Sequence, residues 1–194
     1  MVRFIKPTFV AVLLALAGCN TPPPVAKFPD ITYAHMTPIN LDVKRIEVVW
    51  AYAPPYSAPN VDHLFPTPPG KAAERWATDR LRAVGKEGYA RFIIRDASVI
   101  ETRLRKTGGV AGAFTTDQTA RYDGVIDVEL QLQDDLGQRD GKVFARATMT
   151  QTAPEDATIN QTEQIWFDMT EAMMKQINAQ LETNIQTHLR PFLR

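Results

Sequence analysis

The sequence predicts an α+β domain in two layers: a four-stranded, mainly antiparallel sheet with two helices on one face, in the order β-α-β-β-β-α. Three observations carry this. Ile126, Val128, Leu130 and Leu132 alternate with Asp127, Glu129, Gln131 and Gln133, the period-two signature of a strand with one covered and one wet face. Trp166, Met169, Met173, Ile177, Leu181, Ile185 and Leu189 step by threes and fours, as one face of a helix does. A shorter stripe of the same kind, Ala73, Trp76, Ala77, Leu81 and Val84, lies between two strand-like runs.

The first strand spans Val43 to Tyr52, with Ile46, Val48, Trp50 and Tyr52 on one face. A proline-rich loop follows, holding Pro54, Pro55, Pro59, Pro66, Pro68 and Pro69 together with Tyr56, His63, Leu64 and Phe65. Its apolar residues can meet a partner or fold back on the sheet edge. The first helix runs from Thr67 or Pro68 to Lys86, since proline at the first helical position loses no hydrogen bond. Arg91 to Leu104 reads as a long strand, broken at Asp96-Ala97-Ser98 by a bulge or bend.

Lys106 to Ala120 is rich in glycine and reads as a hairpin loop, with Phe114 at its centre. Tyr122 to Gln133 is a strand, and Asp134 to Gly141 turns it back. The return strand, Lys142 to Thr150, points Val143, Ala145, Ala147 and Met149 inward, where small side chains let a helix lie close. The last helix is expected over Thr158 to Leu189, stopped by Pro191. At about 1.5 Å per residue it measures roughly 50 Å, longer than four such strands need. Its surplus turns either overhang or carry a binding face.

The N-terminus has a different character. Arg3 and Lys6 precede an apolar run from Phe9 to Ala17, far short of the ~20 residues that span a bilayer. Leu16-Ala17-Gly18-Cys19 closes the run with the only cysteine in the chain. This pattern resembles the lipobox of bacterial lipoproteins. The resemblance implies a signal peptide at residues 1–18, cleavage before Cys19, and acylation of its sulfur and new amino group. Residues 19–40 would then form a lipidated, proline-rich tether, and residues 41–194 a single periplasmic domain. Thr21-Pro22-Pro23-Pro24 favours extended polyproline II, and about twenty such residues could reach roughly 60 Å. Phe28, Ile31, Tyr33 and Met36 in its second half either pack as an arm or bind a partner.

The element order with the lipobox is similar to that of two groups of envelope lipoproteins, the lipopolysaccharide-assembly lipoprotein and the auxiliary lipoproteins of ABC-type lipid transport. Asn20-Thr21-Pro22 stands where the first group carries an aromatic start. The whole looks most like an uncharacterised proteobacterial envelope lipoprotein family. By that resemblance the expected location is the periplasmic face of the outer membrane, since Asn20 replaces the aspartate that retains enterobacterial lipoproteins in the inner one. The inner membrane is the alternative.

Charge speaks against a nucleic-acid partner. Two of the 22 basic residues lie in the leader, so the rest of the chain falls two short of its 22 acidic ones. His35, His63 and His188 lie far apart and form no metal-ligand motif. No nucleophile elbow or phosphate loop is present. The acids Asp127 and Glu129 are expected to pair across strands with Lys142 and Arg146. No catalytic residue, metal or cofactor is therefore expected. The sequence reading is a non-enzymatic, membrane-anchored binding or partner subunit of an envelope complex, with Phe65, Phe114 and Leu189 as candidate contacts. The alternative is a lipid or glycan carrier with a cleft between helices and sheet.

Overall fold

A computed structural model describes residues 28–104 and 118–194. Among these residues seven strands and two helices follow in chain order. These are β1 (Ile39–Leu41), β2 (Arg45–Trp50), α1 (Pro69–Arg80), β3 (Leu81–Ala83), β4 (Tyr89–Asp96), β5 (Val99–Arg103), β6 (Gln118–Gln133), β7 (Asp140–Pro154) and α2 (Ile159–His188). Short 3₁₀ turns lie at Asp62–Leu64 and Arg190–Phe192.

The α+β class is as expected. Strand β6 is the spine of the sheet. Strands β4 and β5 pair antiparallel with successive stretches of one edge of β6, and β7 pairs along the other. Gly124 is opposite both Val99 and Met149, which places β5 and β7 on opposite edges. Taken together, β4 and β5 are the single broken strand the sequence shows. The break is an Asx-type turn in which Ser98 N–H donates to Asp96 Oδ1 at 3.0 Å. On the far side, β2 joins β4 in parallel, from Arg45 opposite Tyr89 to Trp50 opposite Ile94, so β2–α1–β4 is a crossover unit within a mixed sheet.

Register lines up the buried face. Val48, Phe92, Leu130 and Val143 sit side by side across the four strands, as do Trp50, Ile94, Val128 and Ala145. Both helices cover this face. Trp76 of α1 stacks on Phe92 with ring centroids 5.5 Å apart. On the α2 side, Met169 and Met173 lie against Gly124 of β6, and Leu189 lies against Gly141 of β7. The small residues at these crossings, with Ala145 and Ala147, let the long helix approach the sheet.

Strands β6 and β7 explain the length of α2. At 16 and 15 residues they are longer than the sequence pattern marked, and each spans about 50 Å. The 30-residue helix spans about 45 Å and runs back along them, so it has no surplus turns. The surplus turns expected to overhang or carry a binding face are not found from Met169 on: Met169, Met173, Ile177, Leu181, Ile185 and Leu189 are all buried. At its start Thr158 forms a capping box with Gln161, Thr158 N–H donating to the Gln161 amide oxygen and Gln161 N–H to the Thr158 hydroxyl.

Helix α1 ends at Arg80, six residues before the expected stop. Leu81–Ala83 leave the helix to pair in parallel with Ile39–Leu41, so β1 cuts across the expected boundary at residue 40. Val84, placed on the helix stripe by its spacing, is exposed. The C-terminal tail closes on the same place: Leu193 bridges Leu41, and Arg194 pairs with Asp42 at 2.9 Å. The arm before β1 also docks. Phe28 stacks on Phe167 at 5.2 Å, and Asp79 of α1 accepts from Thr32 Oγ1 at 2.7 Å and Tyr33 N–H at 2.8 Å.

Candidate binding cleft

The carboxyl ends of β2 and β4 and the start of α1 lie together, which is where crossover units with parallel strands form ligand crevices. Here the long β2–α1 connection roofs the crevice. Asn60 bridges Ile100, Glu101 N–H donates to Pro59 O, and Val61 N–H to Val99 O, so the proline-rich loop runs along the outer edge of β5. Val61 and Phe65, four apart around the 3₁₀ turn, point inward and are buried.

Between this loop, Trp50 and the first turn of α1 is a cleft of about 400 Å³. Its walls are Trp50, Tyr52, Tyr56, His63 and the rings of Pro54 and Pro68; Asp62, Lys71, Gly70 and Ala97 complete it. Asp62 is only 3% exposed, and one of its oxygens accepts from Tyr52 Oη at 3.1 Å. Burial and then the neighbouring Asp62 charge push the Tyr52 phenol well above its ordinary value, so it stays neutral and donates. Lys71 Nζ lies 5.0 Å from the centre of the Trp50 ring and pairs with Glu74 at 2.8 Å. That bond from Lys71 outweighs burial and holds the Glu74 carboxyl below its usual range, helped by Trp50 Nε1 at 3.3 Å. His63 Nδ1 is buried without a hydrogen-bond partner among the described residues. Tyr56, 71% exposed and at φ +53°, tilts its ring against His63 with centroids 5.4 Å apart.

Among the described residues neither helix covers the other face of the sheet, which is largely polar. Asp127 pairs with Arg146 at 3.0 Å, as expected across the strands. Glu129 instead takes Arg95 at 3.4 Å, while Arg95 and Lys142 both lie over the Phe144 ring. These are ion pairs between neighbouring strands, and Glu129 is itself only 8% exposed. Among the described residues, no group of three or more His, Cys, Asp or Glu could hold a metal ion.

The candidate contacts separate. Phe65 is 3% exposed and stacks on Trp166 with centroids 5.0 Å apart; it belongs to the core because the 3₁₀ turn aims it under the loop. Leu189 is fully buried against Gly141, because β7 reaches the end of the helix. Neither offers a surface to a partner. Phe114 lies outside the described residues, as do Leu16, Ala17, Gly18 and Cys19. The loop presents Tyr56 and Leu64 in place of Phe65. Trp50, Tyr52, Asp62 and Lys71 were not legible as a site. Tyr52 carries the one sequence hint, since its strand pattern runs straight into the proline-rich loop.

No family model matches the chain, and no curated protein matches it either. Among solved structures it is similar to the rare lipoprotein B from Shewanella oneidensis, at 11% identity and a TM-score of 0.38, over 74% of this chain and 96% of that one. A minor lipoprotein from Acinetobacter baumannii gives 14% identity and 0.38, over 74% and 94%. A Xanthomonas campestris protein of the DUF330 family gives 13% and 0.32, over 78% and 92%. No helix among the described residues is long and apolar enough to cross a membrane.

Proposed function

We propose that this chain is a non-enzymatic binding subunit of a bacterial cell envelope, anchored to the periplasmic face of the outer membrane by a lipid on Cys19. The observation that carries the binding role is the aromatic cleft at the carboxyl end of β2, concave and apolar with a few convergent polar groups. The anchor rests on the Leu16-Ala17-Gly18-Cys19 pattern. A carrier that encloses cargo between helices and sheet is less well supported. Trp76, Phe92, Met169, Met173 and Ile177 are fully buried and fill that layer.

A photoreactive residue at position 56 in the native envelope tests the binding role. A discrete adduct, lost when Trp50 is replaced by alanine, supports it; no adduct above the level of a probe at exposed Leu136 sinks it. Cys19→Ser tests the anchor, with the protein expected to leave the membrane fraction.

A further inference from the structure

We infer that the cleft at Trp50 binds a saccharide, an inference that rests on the cleft being the binding site proposed above. The argument is one of complementarity between its walls and the ligands that could enter. Its walls are mainly aromatic and proline rings, so the ligand must offer apolar faces. A hydrocarbon chain would satisfy the rings. It would offer no partner to the Asp62 oxygen that Tyr52 does not bond, nor to the Lys71 ammonium in the same cleft. A cation suits an aromatic cage with a carboxylate at its floor, but Lys71 Nζ already lies over Trp50 and would repel it. A proline-rich peptide matches the rings too. Its tertiary amides carry no N–H, so it cannot donate to the Asp62 carboxylate.

A pyranose meets all of these conditions. Its C–H faces stack on Tyr52 or Tyr56. Its hydroxyls donate to the Asp62 oxygen that Tyr52 leaves free, or accept from Lys71 Nζ. Tyr56 is the exposed platform at the rim, and Asp62 is the buried acceptor that gives orientation.

The test uses the full chain in detergent micelles, titrated by calorimetry with chitohexaose, maltohexaose and cellohexaose, and with decaproline as the competing class. At least one hexaose is expected to bind saturably. Asp62→Asn keeps an acceptor for Tyr52 but removes the charge, and is expected to weaken binding about tenfold, the size of one charge-assisted hydrogen bond. Tyr56→Ala touches no core residue and is expected to weaken binding about fivefold with an unchanged melting temperature. It keeps the test valid if Asp62→Asn does not fold. Failure of every hexaose to bind, equal binding by wild type and Tyr56→Ala, or preference for decaproline overturns the inference. If the hexaoses fail while the probe at position 56 still gives its adduct, the cleft stands and only the sugar falls. If both fail, the cleft itself is not the site.

Discussion

The indole N–H of Trp76 donates to Asn178 Oδ1 at 2.8 Å, joining α1 to α2 between residues 102 apart in sequence. Trp76 is fully buried, so this is the one way its polar atom is satisfied inside the helix layer. Asn178→Ala leaves the indole N–H unpaired and is expected to lower stability by about 1–3 kcal/mol. Asn178→Asp keeps an acceptor and should lose less. Urea denaturation of the two variants, with equal m-values, checks the ordering.

Gly70 is a second close approach. A methyl group there would lie 2.6 Å from Cζ3 of Trp50, and a rigid indole cannot yield as a flexible chain end can. Gly70→Ala is expected to displace Trp50 from its wall of the cleft and to destabilise the domain by about 1–3 kcal/mol. A shift in tryptophan emission together with a lowered melting temperature is the expected result. An unchanged spectrum would mean the helix start moves instead.

The docking of the N-terminal arm is predicted to depend on acid. Burial alone would raise the Asp79 carboxyl. The bonds from Tyr33 N–H and Thr32 Oγ1 and the charge of Arg75 outweigh it, and the net shift is downward. A carboxylate depressed in the folded state contributes stability that is full above its unfolded value, about 3.9, and is lost as pH falls through the folded value. The protection factor of the Tyr33 amide should therefore be full at neutral pH and fall below about pH 4, before those of the β6 amides do. Asp79→Ala should lower it at every pH.

At high pH the sign reverses. Burial, then the charge of Glu171, pushes the Tyr33 phenol up to about 12. Burial first also raises Tyr52 and Tyr122. An unfolded chain loses these protons near pH 10, so folding stability is expected to fall as pH rises above that value. A tyrosinate absorbance titration should show three groups that ionise late, together with unfolding.

The free edge of β7 is guarded at one place. Gln180 of α2 accepts from Arg146 N–H and donates to Arg146 O, both at 3.0 Å, and Asn184 donates to Phe144 O at 2.8 Å. Two amide side chains thus occupy the positions a neighbouring strand would take. Replacing both with alanine is expected to leave those backbone groups open and to promote concentration-dependent association. Sedimentation velocity would detect it, and a monomer at all concentrations would show that the guard is dispensable.

Legibility followed periodicity. The alternation around Ile126 and the stripe from Met169 to Leu189 identified the buried face and the helix that covers it, because burial imposes a period on each. Strand β1 and the end of α1 were hidden, since Ile39–Leu41 and Leu81–Ala83 are too short to show a period and each exists only through the other. The strand lengths were underestimated at polar ends, where Gln118 pairs with Pro154 and Arg121 with Thr152 through the backbone without an apolar pattern. The cleft was half hidden. Its loop was conspicuous for its prolines, but which aromatic it exposes depends on one 3₁₀ turn, and that turn buries Phe65 and leaves Tyr56 outside.

The contact of Phe28 with Phe167 shortens the leash. If Cys19 carries the lipid, eight residues lie between the anchor and Phe28, the first docked side chain among the described residues, and those nine steps at full extension cover about 30 Å, half the reach read from the sequence. The domain is then confined to a thin layer next to the bilayer, with the arm and the α2 surface around Phe167 held closest to it. Such confinement raises the local concentration of anything bound in that layer and excludes targets deeper in the periplasm.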